Sequence, residues 1–158
     1  MKMRLLLSVL VLSIFSTPLF ADESAHGMRD MHDTHAAAAN PAKIDRTIAI
    51  DMSDNMRFTP EKITIKRGET IRFIVKNSGH VQHEMVIGSL KELKEHEKMM
   101  REMPGMVHAD SNQVTVDPGQ TGELVRQFTK VGAYHFACLQ AGHFEAGMQG
   151  LISVKERL

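Results

Sequence analysis

The chain of 158 residues contains one cysteine, one tyrosine and no tryptophan, and its charges balance. A single thiol excludes an intramolecular disulfide framework, an iron–sulfur cluster held by four cysteines and a four-cysteine zinc ribbon. Because 19 basic residues are matched by 19 acidic ones, the sequence lacks the basic excess of a nucleic-acid-binding protein, and we expect no nucleic-acid partner. In contrast, the 12 methionines and nine histidines are abundant, and both residue types are soft or borderline metal ligands.

A short apolar segment begins the chain. Lys2 and Arg4 precede an apolar run from Leu5 to Phe15, and Ala21 suits the position before a cleavage site. Because the run is too short to span a bilayer, residues 1–21 are predicted to be a secretory signal peptide. The prediction implies export, with no membrane association after cleavage.

Residues 22–43 are polar and rich in alanine, and they are predicted to form a flexible tail because they contain no periodic apolar pattern. The tail contains potential metal ligands, namely His26, Met28, Met31, His32 and His35. Methionine is unusual in a solvated linker and combines with histidine in copper sites, so this cluster is a candidate for binding additional copper. The alternative is a hydrophilic spacer that merely contains these residues.

From Ile44 onward, short apolar runs of period two alternate with turn signals such as Asn77-Ser78-Gly79. Strands are predicted at about 48–52, 63–65, 70–76, 83–87, 113–116, 122–128, 132–138 and 150–154. Seven or eight short strands in one domain over residues 44–158 predict an all-β fold, a Greek-key β-sandwich.

One segment departs from the strand pattern. Ser89 and Glu92 form a capping-box pattern that predicts an inserted helix from Ser89 to Glu102. The whole insertion, at about 89–108, is rich in potential copper ligands, namely Met99, Met100, Met103, Met106 and His108. Methionines at helical spacing are either hydrophobic contacts with the sandwich or a thioether surface.

The strongest candidate metal ligands lie in the loop between the last two predicted strands. Cys138, His143 and Met148 follow one another at five-residue intervals. A thiolate and two imidazoles in a trigonal plane, with a weak axial thioether, form the site that type 1 copper selects. The loop therefore supplies three of four ligands, and a second histidine must come from elsewhere in the chain.

Strand phase favours one histidine as the remaining ligand. His83 begins a strand whose inward face continues through Ile87, whereas its rival His80 lies in the preceding turn. His135 is predicted to be a surface residue, because alternation points it away from the face that carries Cys138.

The sequence from Gly132 to Gly150 resembles the copper loop of the cupredoxins, the family of plastocyanin, pseudoazurin, azurin and rusticyanin. The resemblance covers about Ile44 to Leu158, and the long loop is similar to that of rusticyanin-like members. It implies one type 1 copper ion with four ligands, namely His83, Cys138, His143 and Met148. It also implies that a redox protein docks near the loop histidine, on an apolar patch formed by Leu139, Ala141, Phe144 and Ala146.

Two positions depart from the family pattern. Ala141 stands where cupredoxins often have a proline before the loop histidine. Glu84 stands where electron carriers of the family often have an asparagine that ties the two ligand segments together. We expect a carboxylate at this position to alter the hydrogen bonding that orients the ligands and tunes the site.

The tail and the inserted segment resemble those of a narrower group, the CopI-type copper-resistance cupredoxins of Gram-negative bacteria. This resemblance implies a periplasmic protein that acts in copper tolerance and homeostasis, with redox cycling between Cu(I) and Cu(II). Two alternatives are a small electron-transfer cupredoxin between periplasmic redox partners and a mononuclear cuprous oxidase. Leu139 argues against a multicopper oxidase, in which a histidine follows the cysteine ligand.

Overall fold

The computed structural model describes residues 36–38, 43–103 and 111–157. The strands in these ranges are β1 (Ala36–Ala38), β2 (Arg46–Ser53), β3 (Arg57–Thr59), β4 (Lys62–Lys66), β5 (Thr70–Asn77), β6 (His83–Gly88), β7 (Gln113–Val116), β8 (Thr121–Phe128), β9 (Gly132–Ala137) and β10 (Gln149–Lys155). One helix, α1 (Leu90–Glu102), lies between β6 and β7 in the chain. Within the described ranges, no helix has both the length and the apolar character needed to cross a membrane.

The strands form two five-stranded sheets that share one apolar core. Their strand orders are β1-β8-β5-β2-β3 and β4-β10-β9-β6-β7. Most neighbouring strands are antiparallel, but β2 pairs with β5 and β4 pairs with β10 in parallel. Each parallel pair requires a connection that leaves the sheet and returns, so consecutive hairpins alone do not build either sheet. The predicted all-β sandwich with one inserted helix is confirmed.

The core follows the predicted alternation, with every second side chain of a strand facing the opposite sheet. Phe73 and Phe128 of one sheet pack edge to face with ring centroids 6.3 Å apart, and Phe128 contacts Tyr134 of the other sheet at 5.4 Å. Phe58 and Phe136 form a third such pair at 5.0 Å. Each aromatic pair contributes about 0.5–1.5 kcal/mol beyond its buried area. The end of β9 is therefore anchored in a tightly packed core.

Two short strands were not predicted from the sequence. Strand β1 pairs antiparallel with β8, with Ala36 opposite Phe128, and it lies within the segment predicted as a tail. Strand β3 pairs antiparallel with the end of β2. Each has only three residues, and its pairing depends on backbone hydrogen bonds to an available strand edge. Apolar periodicity carries no signal for such strands.

Helix α1 begins with the predicted capping box. The Ser89 hydroxyl accepts the N–H of Glu92 at 3.2 Å, and the Glu92 carboxylate accepts the N–H of Ser89 at 2.7 Å. The helix covers the outer face of β6, which explains why all six residues of that strand are buried. The contact is a small apolar cluster, composed of Val86, Leu93, Ala137 and Leu139, with Phe144 packed against it.

Candidate metal centre

Three predicted ligands, His83 from β6 and Cys138 and His143 from the loop after β9, meet at one end of the sandwich. The Nδ1 atoms of His83 and His143 are 3.2 Å apart, and the Cys138 Sγ atom lies 3.2 Å from His143 Nδ1 and 3.9 Å from His83 Nδ1. His83 and Cys138 are buried, and His143 is partly exposed. They meet because β6 begins at the same end of the sheet where its antiparallel neighbour β9 ends.

The spacing of these donor atoms fits one metal ion. A divalent ion such as zinc binds imidazole nitrogen at about 2.0 Å and thiolate sulfur at about 2.3 Å, so three ligands in one plane lie about 3.6 Å apart. The three observed separations, 3.2, 3.2 and 3.9 Å, lie on both sides of that value. Because two imidazoles and a thiolate are the donors of trigonal copper sites, the group can hold one copper ion.

Met148 lies beside the group in the fold and is completely buried. Its carbonyl accepts the N–H of Cys138 at 3.1 Å, and its own N–H donates to the carbonyl of His143 at 3.0 Å. Gly142 and Gly147 have φ angles of 84° and 93°, which glycine adopts without steric cost. The loop thus turns back on itself and returns Met148 to the end of β9, as the five-residue spacing requires.

The ring of His83 contacts a carboxylate that sequence reasoning missed. Its Nδ1 atom faces Cys138 and His143, while its Nε2 atom lies 3.2 Å from Oδ1 of Asp54. The pKa of Asp54 is lowered to about 2 by the hydrogen bonds that its carboxylate accepts, and the bond from the backbone N–H of His80 has the largest effect. Asp54 lies in the turn between β2 and β3, and no spacing in the sequence relates it to His83.

Glu84 ties the two ligand segments together. Its backbone N–H donates to the Cys138 sulfur at 3.4 Å, and its side-chain Oε1 accepts the N–H of Leu139 at 3.0 Å. The carboxylate therefore makes the connection that the family resemblance assigns to an asparagine.

Burial raises the pKa of the Cys138 thiol to about 12, so the thiol is protonated at neutral pH in the metal-free protein.

The apolar patch expected around His143 is not formed as predicted. Leu139 is only 1% exposed, and Phe144 packs against the cluster under α1. The inserted helix provides an apolar surface that buries Leu139 and partly covers Phe144, while Ala141 and Ala146 stay exposed. Burial is the main cause that lowers the pKa of His143 below its ordinary value, so its imidazole is neutral at pH 7.

The remaining candidate residues lie apart from this group or outside the described ranges. The side chain of His80 is 95% exposed and contacts Asp54, and His135 is half-buried on the outer face of β9. Met99 and Met100 are half-buried on α1, and Met103 is exposed. The candidates outside the described residues are His26, Met28, Met31, His32, His35, Met106 and His108, and the predicted signal peptide also lies there.

Comparison with known proteins identifies the class to which this fold and site belong. A family model described as copper binding proteins, plastocyanin/azurin family, matches residues 44–155. The chain therefore belongs to the plastocyanin/azurin family of copper-binding proteins. It is 46% identical to the copper-resistant cuproprotein CopI of Rubrivivax gelatinosus over 165 residues, which cover 98% of this chain and 100% of that protein.

Two further relatives carry the same description. The chain is 39% identical over 123 residues to CopI of Vibrio cholerae, covering 77% of this chain and 72% of that protein. It is 32% identical over 177 residues to CopI of Pseudomonas aeruginosa, covering 94% of each. The predicted relationship to CopI-type cupredoxins is confirmed.

Solved structures share the fold at low sequence identity. Auracyanin from Roseiflexus castenholzii matches with a TM-score of 0.63 and 22% identity, over 72% of this chain and 99% of that chain. An azurin from Methylomonas sp. strain J matches with a TM-score of 0.55 and 18% identity, over 71% of this chain and 99% of that chain. These similarities support the sandwich fold.

Proposed function

We propose that this protein binds one copper ion in a type 1 site and contributes to copper tolerance as an exported, periplasmic protein. The single observation that carries the proposal is the convergence of three donor atoms within 3.2–3.9 Å. The proposed ligands are His83, Cys138 and His143, with Met148 as the axial ligand. Similarity to three copper-resistant cuproproteins supports the role in tolerance.

The residues hold their donors in a fixed arrangement. A bound copper ion would supply a one-electron couple between Cu(I) and Cu(II). Glu84 and Met148 hold Cys138 through hydrogen bonds, and Asp54 holds His83, so the donor atoms have little freedom to move when the charge at the site changes. His143 is the partly exposed ligand, and it offers the shortest route for electrons between the site and the surface.

Copper binding is tested by titrating the protein that begins at Asp22 with Cu(II) while the visible spectrum is recorded. We expect an intense thiolate-to-copper absorption band that saturates with the site. Cys138→Ser removes the thiolate and should abolish the band. His135→Gln is the matched control, because His135 lies on the outer face of β9, and it should retain the band. A protein without the band, or a Cys138→Ser variant that keeps it, contradicts the proposal.

We further propose that the tail and the inserted segment bind additional copper. The proposed ligands are His26, Met28, Met31, His32, His35, Met99, Met100, Met103, Met106 and His108. The test compares copper stoichiometry between the protein that begins at Asp22 and a version that begins at Ile44. Loss of at least one equivalent of bound copper per chain in the version that begins at Ile44 assigns the extra copper to the tail, whereas equal stoichiometry contradicts that assignment.

The role in tolerance is tested by deleting the gene and measuring growth on copper. We expect a copper-sensitive strain that the wild-type gene rescues and the Cys138→Ser gene does not. Fractionation of the same cells should recover the protein with periplasmic markers. A deletion strain that grows normally on copper contradicts this role.

The partial exposure of His143 favours one alternative function, electron transfer between periplasmic redox partners. In that case the deletion should impair a respiratory electron-transfer rate without copper sensitivity. The protein that begins at Ile44 should then exchange electrons as fast as the full chain, because the tail would have no part in the reaction.

A further inference from the structure

The carboxylate of Asp54 contacts two histidines with opposite environments. Its Oδ1 atom lies 3.2 Å from Nε2 of His83, whose side chain is fully buried. Its Oδ2 atom lies 3.1 Å from Nδ1 of His80, which is exposed, and accepts the backbone N–H of His80 at 2.8 Å. Asp54 therefore connects the surface turn before β6 with the buried histidine that begins the strand.

The turn that carries His80 is shaped to receive this carboxylate. The Asn77 side chain accepts the N–H of Gly79 at 2.9 Å and donates to the carbonyls of Val81 and Val116. A Cβ atom at Gly79 would collide with the Asp54 carboxylate. The glycine thus leaves the space in which the carboxylate sits, and a fully bonded buried asparagine holds the turn around it.

The chemistry of a carboxylate restricts the protonation of the His83 ring. An ionised carboxylate only accepts hydrogen bonds, so the facing Nε2 atom must carry the ring proton. In a neutral imidazole the other nitrogen, Nδ1, then has a free lone pair. Nδ1 is the atom that faces Cys138 and His143.

We propose that Asp54 is a positioning residue of the metal centre, which fixes the tautomer and the ring orientation of His83 and favours Cu(II) over Cu(I). The inference rests on the proposed copper binding. A carboxylate behind a ligating imidazole increases the basicity of the ligand, and its negative charge favours the more positive ion.

The first test uses the wild-type protein and needs no copper. Nitrogen-15 NMR of copper-free protein, recorded at a pH at which the His83 ring carries a single proton, should show that proton on Nε2. The Cu(I)-loaded protein, which is diamagnetic, should show the same proton. A singly protonated His83 ring with its proton on Nδ1 in the copper-free protein overturns the proposal, whether or not copper binds.

The second test compares Asp54→Ala with Asp54→Asn. We expect Asp54→Ala to weaken Cu(II) binding about 10- to 100-fold, the usual effect of removing such a hydrogen-bond partner, and to weaken Cu(I) binding less. The reduction potential should therefore rise. Asp54→Asn retains one acceptor oxygen, but its amide group must face either His80 or His83 as a donor. Its Cu(II) affinity should lie between those of wild type and Asp54→Ala.

Asp51→Asn is the matched control. Asp51 lies on β2 close to the same turn, and its carboxylate accepts the hydroxyl of Ser78 at 2.7 Å. This variant should leave copper affinity and potential unchanged. If Asp54→Ala is folded and matches the control in both readouts, the proposal is wrong. If Asp54→Ala does not fold, the proposal is judged by the NMR result and by the Cu(II) affinity of Asp54→Asn. A wild-type protein without copper binding refutes the proposed function instead, and the tautomer result still stands.

Discussion

The side-chain Oε1 atom of Glu84 accepts the backbone N–H of Leu139 at 3.0 Å. This hydrogen bond joins the residue after His83 to the residue after Cys138, so it holds the starts of two ligand segments together. Both Glu84 and Leu139 are buried. The stability of this end of the sandwich should therefore depend on an acceptor at position 84.

We expect Glu84→Ala to destabilise the copper-free protein, because the buried N–H of Leu139 loses its acceptor. Such a loss costs about 1–3 kcal/mol in the free energy of unfolding. Glu84→Gln keeps an acceptor oxygen, so its free energy of unfolding should fall less than that of Glu84→Ala. Chemical denaturation measures both values. Glu123→Ala, which removes only an exposed ion pair with Arg72, is the control and should cost less than about 1 kcal/mol. Equal stability of Glu84→Ala and wild type would contradict the role of this bond.

Replacing Met148 by leucine tests the axial ligand. The two side chains have similar volumes, so we expect the fold to lose less than about 1.5 kcal/mol. The Met148→Leu protein should still bind copper and show the thiolate band. Its reduction potential should rise, because the axial thioether that stabilises Cu(II) is gone. Protein-film voltammetry measures the shift. Met85→Leu, in the buried core, should leave the potential unchanged. A potential that moves equally in both variants would exclude an axial role for Met148.

Copper binding should strengthen as the pH rises. The Cys138 pKa is raised to about 12 by burial, so copper must displace a proton from the thiol at any lower pH. Burial lowers the pKa of His143, so above pH 7 its imidazole is already neutral and releases no further proton. The apparent affinity should therefore increase about tenfold per pH unit between about pH 7 and pH 9. Competition titrations with a chelator of known pH dependence measure this slope. A flat profile would mean that no proton leaves the thiol.

The exposed ion pair between Arg101 and Glu145 joins α1 to the ligand loop at 3.1 Å. Because both side chains are about half exposed, we expect a coupling of only about 0.2–1 kcal/mol. A double-mutant cycle with Arg101→Ala and Glu145→Ala measures it in the free energy of unfolding. The thiolate band should not shift in either variant, since backbone hydrogen bonds hold the loop. A shifted band in Glu145→Ala would show that the helix controls the geometry of the site.

Local patterns in the sequence predicted the parts of the fold that depend on neighbouring residues. Alternation identified the buried face of β5. Phe73 and Val75 are two residues apart, so their side chains point to the same face of the sheet, and both are buried there. The Ser89–Glu92 pair identified the helix start, because a capping box is completed within one turn. Strands β1 and β3 escaped prediction because each has only three residues, too few to show apolar alternation, and β1 also pairs with the distant strand β8.

The five-residue spacing of Cys138, His143 and Met148 was enough to predict a compact metal-binding loop, because all three lie on one short segment. Strand phase favoured His83 over His80, and the tertiary structure brings His83 to that loop while His80 stays exposed. The tertiary structure alone placed Asp54 behind His83, buried Leu139 under α1 and packed Phe144 against the same cluster. These contacts join strands and turns far apart in the chain, and they exist only because the sheets bring those ends to one side of the sandwich.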